Sequence, residues 1–178
     1  MPGRVVCFGE LLLRLGAPDR ELLLQSPRFD LHFGGAEANV AVSLARFGHD
    51  VAMVSAVPRN ALGLASLGEL RRHGVDTRGV ALAAGRMGLY FLVTGAIHRP
   101  SEVLYDRAGS AFALAPADIH DWEALLRGAD ALHVSGVPPA LGPSPAEATL
   151  RAVRMASERG LAVSFAGTYR PRLREAWQ

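Results

Sequence analysis

FGGAEANVAVSLARFGHD, residues 33–50, is the stretch whose reading decides how the rest of the chain folds. Gly34 and Gly35 permit backbone angles that other residues resist, and they let a ligand come close to the main chain. Ala38, Val40, Ala41, Val42, Leu44, Ala45 and Phe47 then form a largely apolar helix, which Gly48 is suited to end. The unpaired N–H groups and positive dipole end of that helix face the glycine pair, a favourable place for an anion or a polar sugar. Taken alone, the same residues also read as a tight loop before a buried helix.

Outward from this stretch, composition narrows the possibilities. A chain of 178 residues buries one good core and reads as one domain. The single Cys7 excludes an intrachain disulfide, and its place in the apolar run 4–8 marks it as a buried structural thiol. No signal peptide is seen at the start and no apolar run is long enough to span a bilayer, so a cytoplasmic location without membrane partners is expected. The formal charge is only +2 and the basic residues are scattered, which gives no footprint for nucleic acid despite a pI near 9.2. All 19 basic residues are arginine. A phosphate-binding loop of the Walker type is therefore impossible, and without G-x-G-x-x-G a dinucleotide-dependent oxidoreductase is poorly supported.

Residues 4–8 read as a first buried strand, and 11–15 and 22–24 as short strands and turns broken by Pro18 and Pro27. Beyond the organising helix, 51–57 is a strand, 60–63 a turn, and 64–72 a helix stopped by Gly74. Two β-rich segments, 88–96 and 101–106, suggest a ribbon that interrupts the alternation and forms a small sheet with residues 11–33. A helix over 116–126 follows, with Ile119, Trp122, Leu125 and Leu126 on one face. Strand 131–135 leads to a helix opened by Ser144, Pro145 and Glu147 as a capping box, and 161–165 is the last strand, after Gly160. This order implies an α/β fold, a parallel sheet covered on both faces. Ligands bind such sheets beyond the carboxyl ends of the strands, which places Gly9, Gly34, Gly136 and the residues after Phe165 on one functional rim.

The pattern G-G-A-x-A-N-x-A-x-x-L-A-R-x-G, residues 34–48, resembles the N-terminal signature of the PfkB, ribokinase-like, carbohydrate kinases. GLYFLVTGAIHRPSEVLYDRAGSAF (88–112), GADALHVSGVPPALG (128–142) and VSFAGTYRPRL (163–173) are similar to 2-keto-3-deoxygluconate kinases in particular. The resemblance covers almost the whole chain. It implies a ribokinase-like sheet with a small β lid, formed by segments about 11–33 and 88–107, within one kinase domain. It further implies that Gly34, Gly35 and Asn39 hold sugar hydroxyls while Tyr90, Tyr105, Arg107 and Arg170 line the pocket and bind the keto-acid carboxylate. Physical chemistry is in accord, since a sugar acid needs a cation for its carboxylate and phenol or amide groups for its hydroxyls. Read singly, Tyr90 and Tyr105 also fit ordinary strand aromatics, and Arg107 and Arg170 surface charges. Tyr169 fits a packing role, and His133 a satisfied core histidine.

Two departures qualify the resemblance. Ala166 and Thr168 stand where the family usually has aspartate and asparagine. The sequence also stops at Gln178, whereas the family continues into a half that carries the G-A-G-D motif, whose aspartate is the general base, and most of the nucleotide site. No residue here matches the catalytic position. The expectation is a fragment that supplies the acceptor-binding half of a sugar-acid kinase, ATP and Mg2+ being cofactors of a complete enzyme that bind poorly to this chain alone. A homodimer through the lid, or a separate C-terminal half, is the implied protein partner. The alternative is a non-catalytic remnant that binds a sugar acid or assembles with another subunit.

Overall fold

Strand β1 (Arg4–Phe8) is apolar from Val5 onward because it lies at the centre of a sheet packed on both sides. Val6 and Phe8 enter one core layer and Cys7 the other. The same alternation runs through β4 (Asp50–Pro58), where Ala52, Val54 and Ala56 face one layer and Val51, Met53 and Val57 its opposite. In this computed structural model, which describes residues 3–168, β1 pairs in parallel with β4 on one side and with β8 (Ala131–Ser135) on the other. Strand β5 (Asp76–Ala83) extends the sheet beyond β4, and β9 (Ala162–Ala166) beyond β8. The order is β5-β4-β1-β8-β9, all parallel.

Helices α1 (Ala36–Arg46) and α2 (Ala61–Arg72) cover one face through Ala38, Ala41, Leu67 and Leu70. Opposite them, α3 (Ala111–Leu114), α4 (Trp122–Leu125) and α5 (Pro143–Glu158) contribute Phe112, Trp122, Ala148, Ala152 and Ala156. Trp122 meets Phe8 edge-on at 5.0 Å, a core contact as its helical spacing implied. Gly48 takes φ 89° just past α1, and the His49 N–H closes back on the Leu44 carbonyl, so the expected glycine stop is present. Phe47, counted with the apolar helix, instead projects into solvent, 80% exposed.

A second sheet holds β2 (Leu12–Gly16), β3 (Asp30–Gly34), β6 (Gly88–Val93) and β7 (Glu102–Asp106), in the order β3-β2-β6-β7. Strands β2 and β6 run parallel, and the outer pairs are antiparallel. Register places Leu12, Tyr90 and Tyr105 on one face and Leu15, Leu31, Phe91 and Leu104 on the other.

Several local expectations are corrected. The helix over 116–126 is only the single turn α4, because the Asp121 carboxylate accepts from the Ala124 N–H at 3.1 Å and caps a fresh start there. No capping box forms at 144–147. Helix α5 starts two residues earlier, at Pro143 with Gly142 as its cap, and the Ser144 hydroxyl donates to the Ala115 carbonyl, joining α5 to the α3 segment. Residues 60–63 are the cap and first turn of α2 rather than a separate turn, with Asn60 as N-cap. Strand β5 and helix α3 were not foreseen. Asp76, Gly79, Ala81 and Ala83 give β5 little β preference, and pairing with β4 overrides it. Among the described residues no strand pairs the outer edge of β9, where Phe165 is 60% exposed.

Candidate functional site

The carboxyl ends of β1 and β8, the start of α1 and the inner face of the small sheet enclose an open cavity of about 180 Å³. Glu10 follows β1, and Val137 follows β8. Gly35, Glu37 and Asn39 come from the start of α1, while Tyr90 and Tyr105 descend from β6 and β7. This is the rim that the parallel-sheet rule selects. Gly35 has to be glycine: its φ is 151°, and a Cβ there would fall on the Glu10 carbonyl oxygen. It caps α1 without a side chain, so the positive end of the helix opens toward the cavity.

Of the residues singled out in the sequence, Gly35, Asn39, Tyr90, Tyr105 and Arg107 line this one cavity. Gly34 stands beside it, and a Cβ on it would lie 3.5 Å from Tyr90 Oη and 3.8 Å from Asn39 Oδ1. The rings of Tyr90 and Tyr105 are 5.9 Å apart, and the Arg107 guanidinium carbon sits 5.5 Å from the Tyr105 centroid. Arg170 and Tyr169 lie outside the described residues. A larger cavity of about 330 Å³ behind α1, against α2, has a mostly apolar floor. Gly34 and Asn39 line it as well, and on its polar rim His73 Nε2 lies 3.2 Å from Glu69 Oε1.

Two buried acids were missed. Glu10 is 2% exposed, and its Oε2 accepts from both Nε, at 2.8 Å, and Nη2 of Arg107. Its Oε1 accepts from the Ser110 hydroxyl. Glu37, 1% exposed, accepts from the Ser135 hydroxyl, which itself accepts from the Val137 N–H at 3.1 Å. Burial raises the Glu37 pKa above its ordinary value, against the Ser135 hydrogen bond and the Arg107 charge, which lower it. The available signal was an acid directly after the glycine that ends a strand, and another between alanines at a helix start. Arg107 is thus a buried, paired cation, not the surface charge its sequence position also allowed.

Elsewhere the structural readings hold. Cys7 is buried, and desolvation foremost, with the Glu37 charge, pushes its thiol to about 12, far from a nucleophile. His133 rests 3.0 Å from Ser164 Oγ in the sheet, its pKa lowered by burial. Among the described residues no helix is long and apolar enough to cross a membrane. No three metal-capable side chains gather among those residues either.

Set against known proteins, residues 3–176 match the profile of the pfkB family carbohydrate kinases. The 2-dehydro-3-deoxygalactonokinase of Haloferax volcanii is 34% identical over 173 residues, covering 97% of this chain and 54% of the relative. The 2-dehydro-3-deoxygluconokinase of Bacillus subtilis is 30% identical over 171 residues, covering 94% and 52%. Among solved structures, the 2-dehydro-3-deoxygluconokinase of Thermotoga maritima superposes with a TM-score of 0.94 at 46% identity, over 96% of this chain and 52% of that one. The chain spans about half the length of the curated relatives it matches.

Proposed function

Because the chain belongs to the pfkB family of carbohydrate kinases, we propose that its 178 residues form the acceptor-binding part of a kinase for 2-keto-3-deoxygluconate (2-dehydro-3-deoxygluconate) or a close sugar acid. The observation that carries this reading is the gathering of a buried arginine, two tyrosines, an amide and an open helix N-terminus in one cavity at the strand ends. Among the described residues nothing accepts from Nη1 of Arg107, which leaves that edge for a substrate carboxylate. Tyr90 and Tyr105 offer hydroxyls to the sugar's carbonyl and hydroxyl groups, Asn39 an amide, and Gly34 and Gly35 close approach of the backbone. Arg170, by resemblance, adds a second cation.

ATP with Mg2+ supplies the transferred phosphoryl group and its charge neutralisation in such kinases. The donor set of this cavity does not fit them, since Glu10 is taken by Arg107 and Ser110 and Glu37 by Ser135. What these residues do is bind and orient the acceptor and shield it from water. The general base and nucleotide site belong, in this proposal, to the part of the relatives that this chain does not span, so the chain alone has no steady turnover. The small sheet serves as a lid within one domain, its outward Leu31 and Leu104 meeting a second copy, and the protein works in the cytoplasm. A second reading, a binding remnant without chemistry, is favoured by Ala166 and by Thr168, whose hydroxyl turns back to the Ala166 carbonyl at 3.3 Å.

Calorimetric titration of the pure chain with 2-keto-3-deoxygluconate, of an Arg107→Ala variant, and separately with ATP, tests the proposal. Acid binding that the variant loses, without ATP binding, is the expected result. A folded chain that ignores the acid would overturn it, and steady ATP-dependent phosphorylation by the pure chain would overturn the claim that it needs the rest.

A further inference from the structure

The Glu10–Arg107 pair ties the end of β1 to the end of β7, and both partners are buried. Both partners also line the cavity. Glu10 engages Nε and Nη2 of Arg107 through a single oxygen, and its other oxygen is fixed by Ser110. The Ser110 hydroxyl oxygen in turn accepts from the Ala113 N–H at 3.2 Å and caps α3, so the whole chain of contacts ends on main chain. The Arg107 guanidinium lies over the Tyr105 ring, its carbon 5.5 Å from the centroid. These contacts fix the plane and rotation of the arginine fork, and with them the direction of the remaining N–H bonds.

We infer that Glu10 is a positioning residue for acceptor selectivity: it holds Arg107 so that the remaining guanidinium edge meets the carboxylate of an acidic acceptor. The inference rests on the sugar-acid reading above and deepens it. The two charges cancel, so the pair gives the cavity no net charge of its own with which to attract acids. It selects them by two directed N–H groups in a fixed place.

Net charge and positioning therefore predict opposite signs for one substitution. Glu10→Gln keeps the shape and makes the cavity more positive. If net charge governs, acid affinity rises; if positioning governs, it falls, and we expect a loss of about tenfold. Ser110→Ala, which keeps the ion pair but frees one Glu10 oxygen, should lose about threefold and guards against a Glu10 variant that fails to fold. The measurements are calorimetric affinity of each folded chain for 2-keto-3-deoxygluconate, and exchange of the Arg107 Nε–H by nuclear magnetic resonance without ligand. Slow exchange in the wild type that quickens in Glu10→Gln, together with the two losses, supports the inference. Equal or tighter acid binding by the variants, with or without a lower melting temperature, overturns it and leaves Glu10 as a bridge between sheets. A wild-type chain that binds no acid overturns the reading underneath, and the inference with it.

Discussion

The carboxyl group of Glu37 occupies the space that a side chain at Gly9 would need. A Cβ built on Gly9 falls on Oε2 and Cδ of Glu37 and lies 2.7 Å from its Cγ. The turn that ends β1 is thereby pressed against the first turn of α1, and Glu10, one residue on, is delivered to the cavity. The buried acid and the glycine form one packing unit, with Ser135 of β8 holding the far side.

Gly9→Ala should therefore cost about 2–3 kcal/mol, because Glu37 must leave the Ser135 hydroxyl or the turn must move. In a Glu37→Ala background the same change should cost less than about 1 kcal/mol, since the obstruction is gone. Urea unfolding of the four proteins measures the coupling. Equal penalties in both backgrounds would place the strain elsewhere.

Asn60 accepts from the N–H groups of Leu62 and Gly63, both at 3.1 Å, and so satisfies two of the free donors at the start of α2. Asn60→Ala should lower stability by about 1 kcal/mol, and Asn60→Asp should retain most of it. Parallel denaturant curves with shifted midpoints would show this. A midpoint equal to that of the wild type would mean that solvent replaces the cap without loss.

Tyr90 Oη lies against Gly34 and faces the cavity. On the proposed function, Tyr90→Phe keeps the ring that packs beside Tyr105 and deletes one hydrogen bond to the sugar. Affinity for 2-keto-3-deoxygluconate should fall roughly fivefold, about 1 kcal/mol, with the melting temperature unchanged. Loss of both affinity and melting temperature would assign the hydroxyl to folding instead.

Leu31 and Leu104 are 59% and 55% exposed on the outward face of the small sheet. Aromatic and aliphatic neighbours on that face, Leu15 and Phe91, make an apolar patch that a second copy would cover. On the proposed function the wild type self-associates, and Leu104→Glu should leave it monomeric in sedimentation experiments. A wild type that is monomeric at high concentration would remove this partner from the proposal.

How much was legible in the sequence depended on which force decides each element. The central strands, α1 with its glycine stop, and the strand-end rim follow from apolar runs and glycine placement, which the fold obeys. Asn39, Tyr90, Tyr105 and Arg107 were singled out through motif resemblance, Gly35 through the glycine pair as well, and all five line the cavity. Strand β5 and the single turn α4 were hidden because sheet pairing and a local Asp121 cap outweigh propensity and periodicity there. Glu10 and Glu37 escaped because charged residues are ordinarily exposed, and the partners that permit their burial stand about 100 positions away, at Arg107, Ser110 and Ser135.

His120 supplies a test by pH. It is 7% exposed between Phe8 and Trp122, at centroid distances of 5.7 and 5.5 Å, and desolvation drops its pKa from 6.5 to about 4. The folded chain thus binds a proton less readily than the unfolded one, so stability is complete above pH 6.5 and is lost as pH falls toward 4. A shift of this size corresponds to roughly 3 kcal/mol. Glu37 works the other way, because a raised carboxyl pKa makes the fold less stable as pH rises above the ordinary value of 4.5. The two are separated by comparing the wild type with His120→Leu across pH 4 to 7. The stability difference between them should be flat near neutrality and move by roughly 3 kcal/mol against the wild type on acidification. A difference that stays constant over that range would mean that His120 accepts its proton in the folded chain as easily as in water.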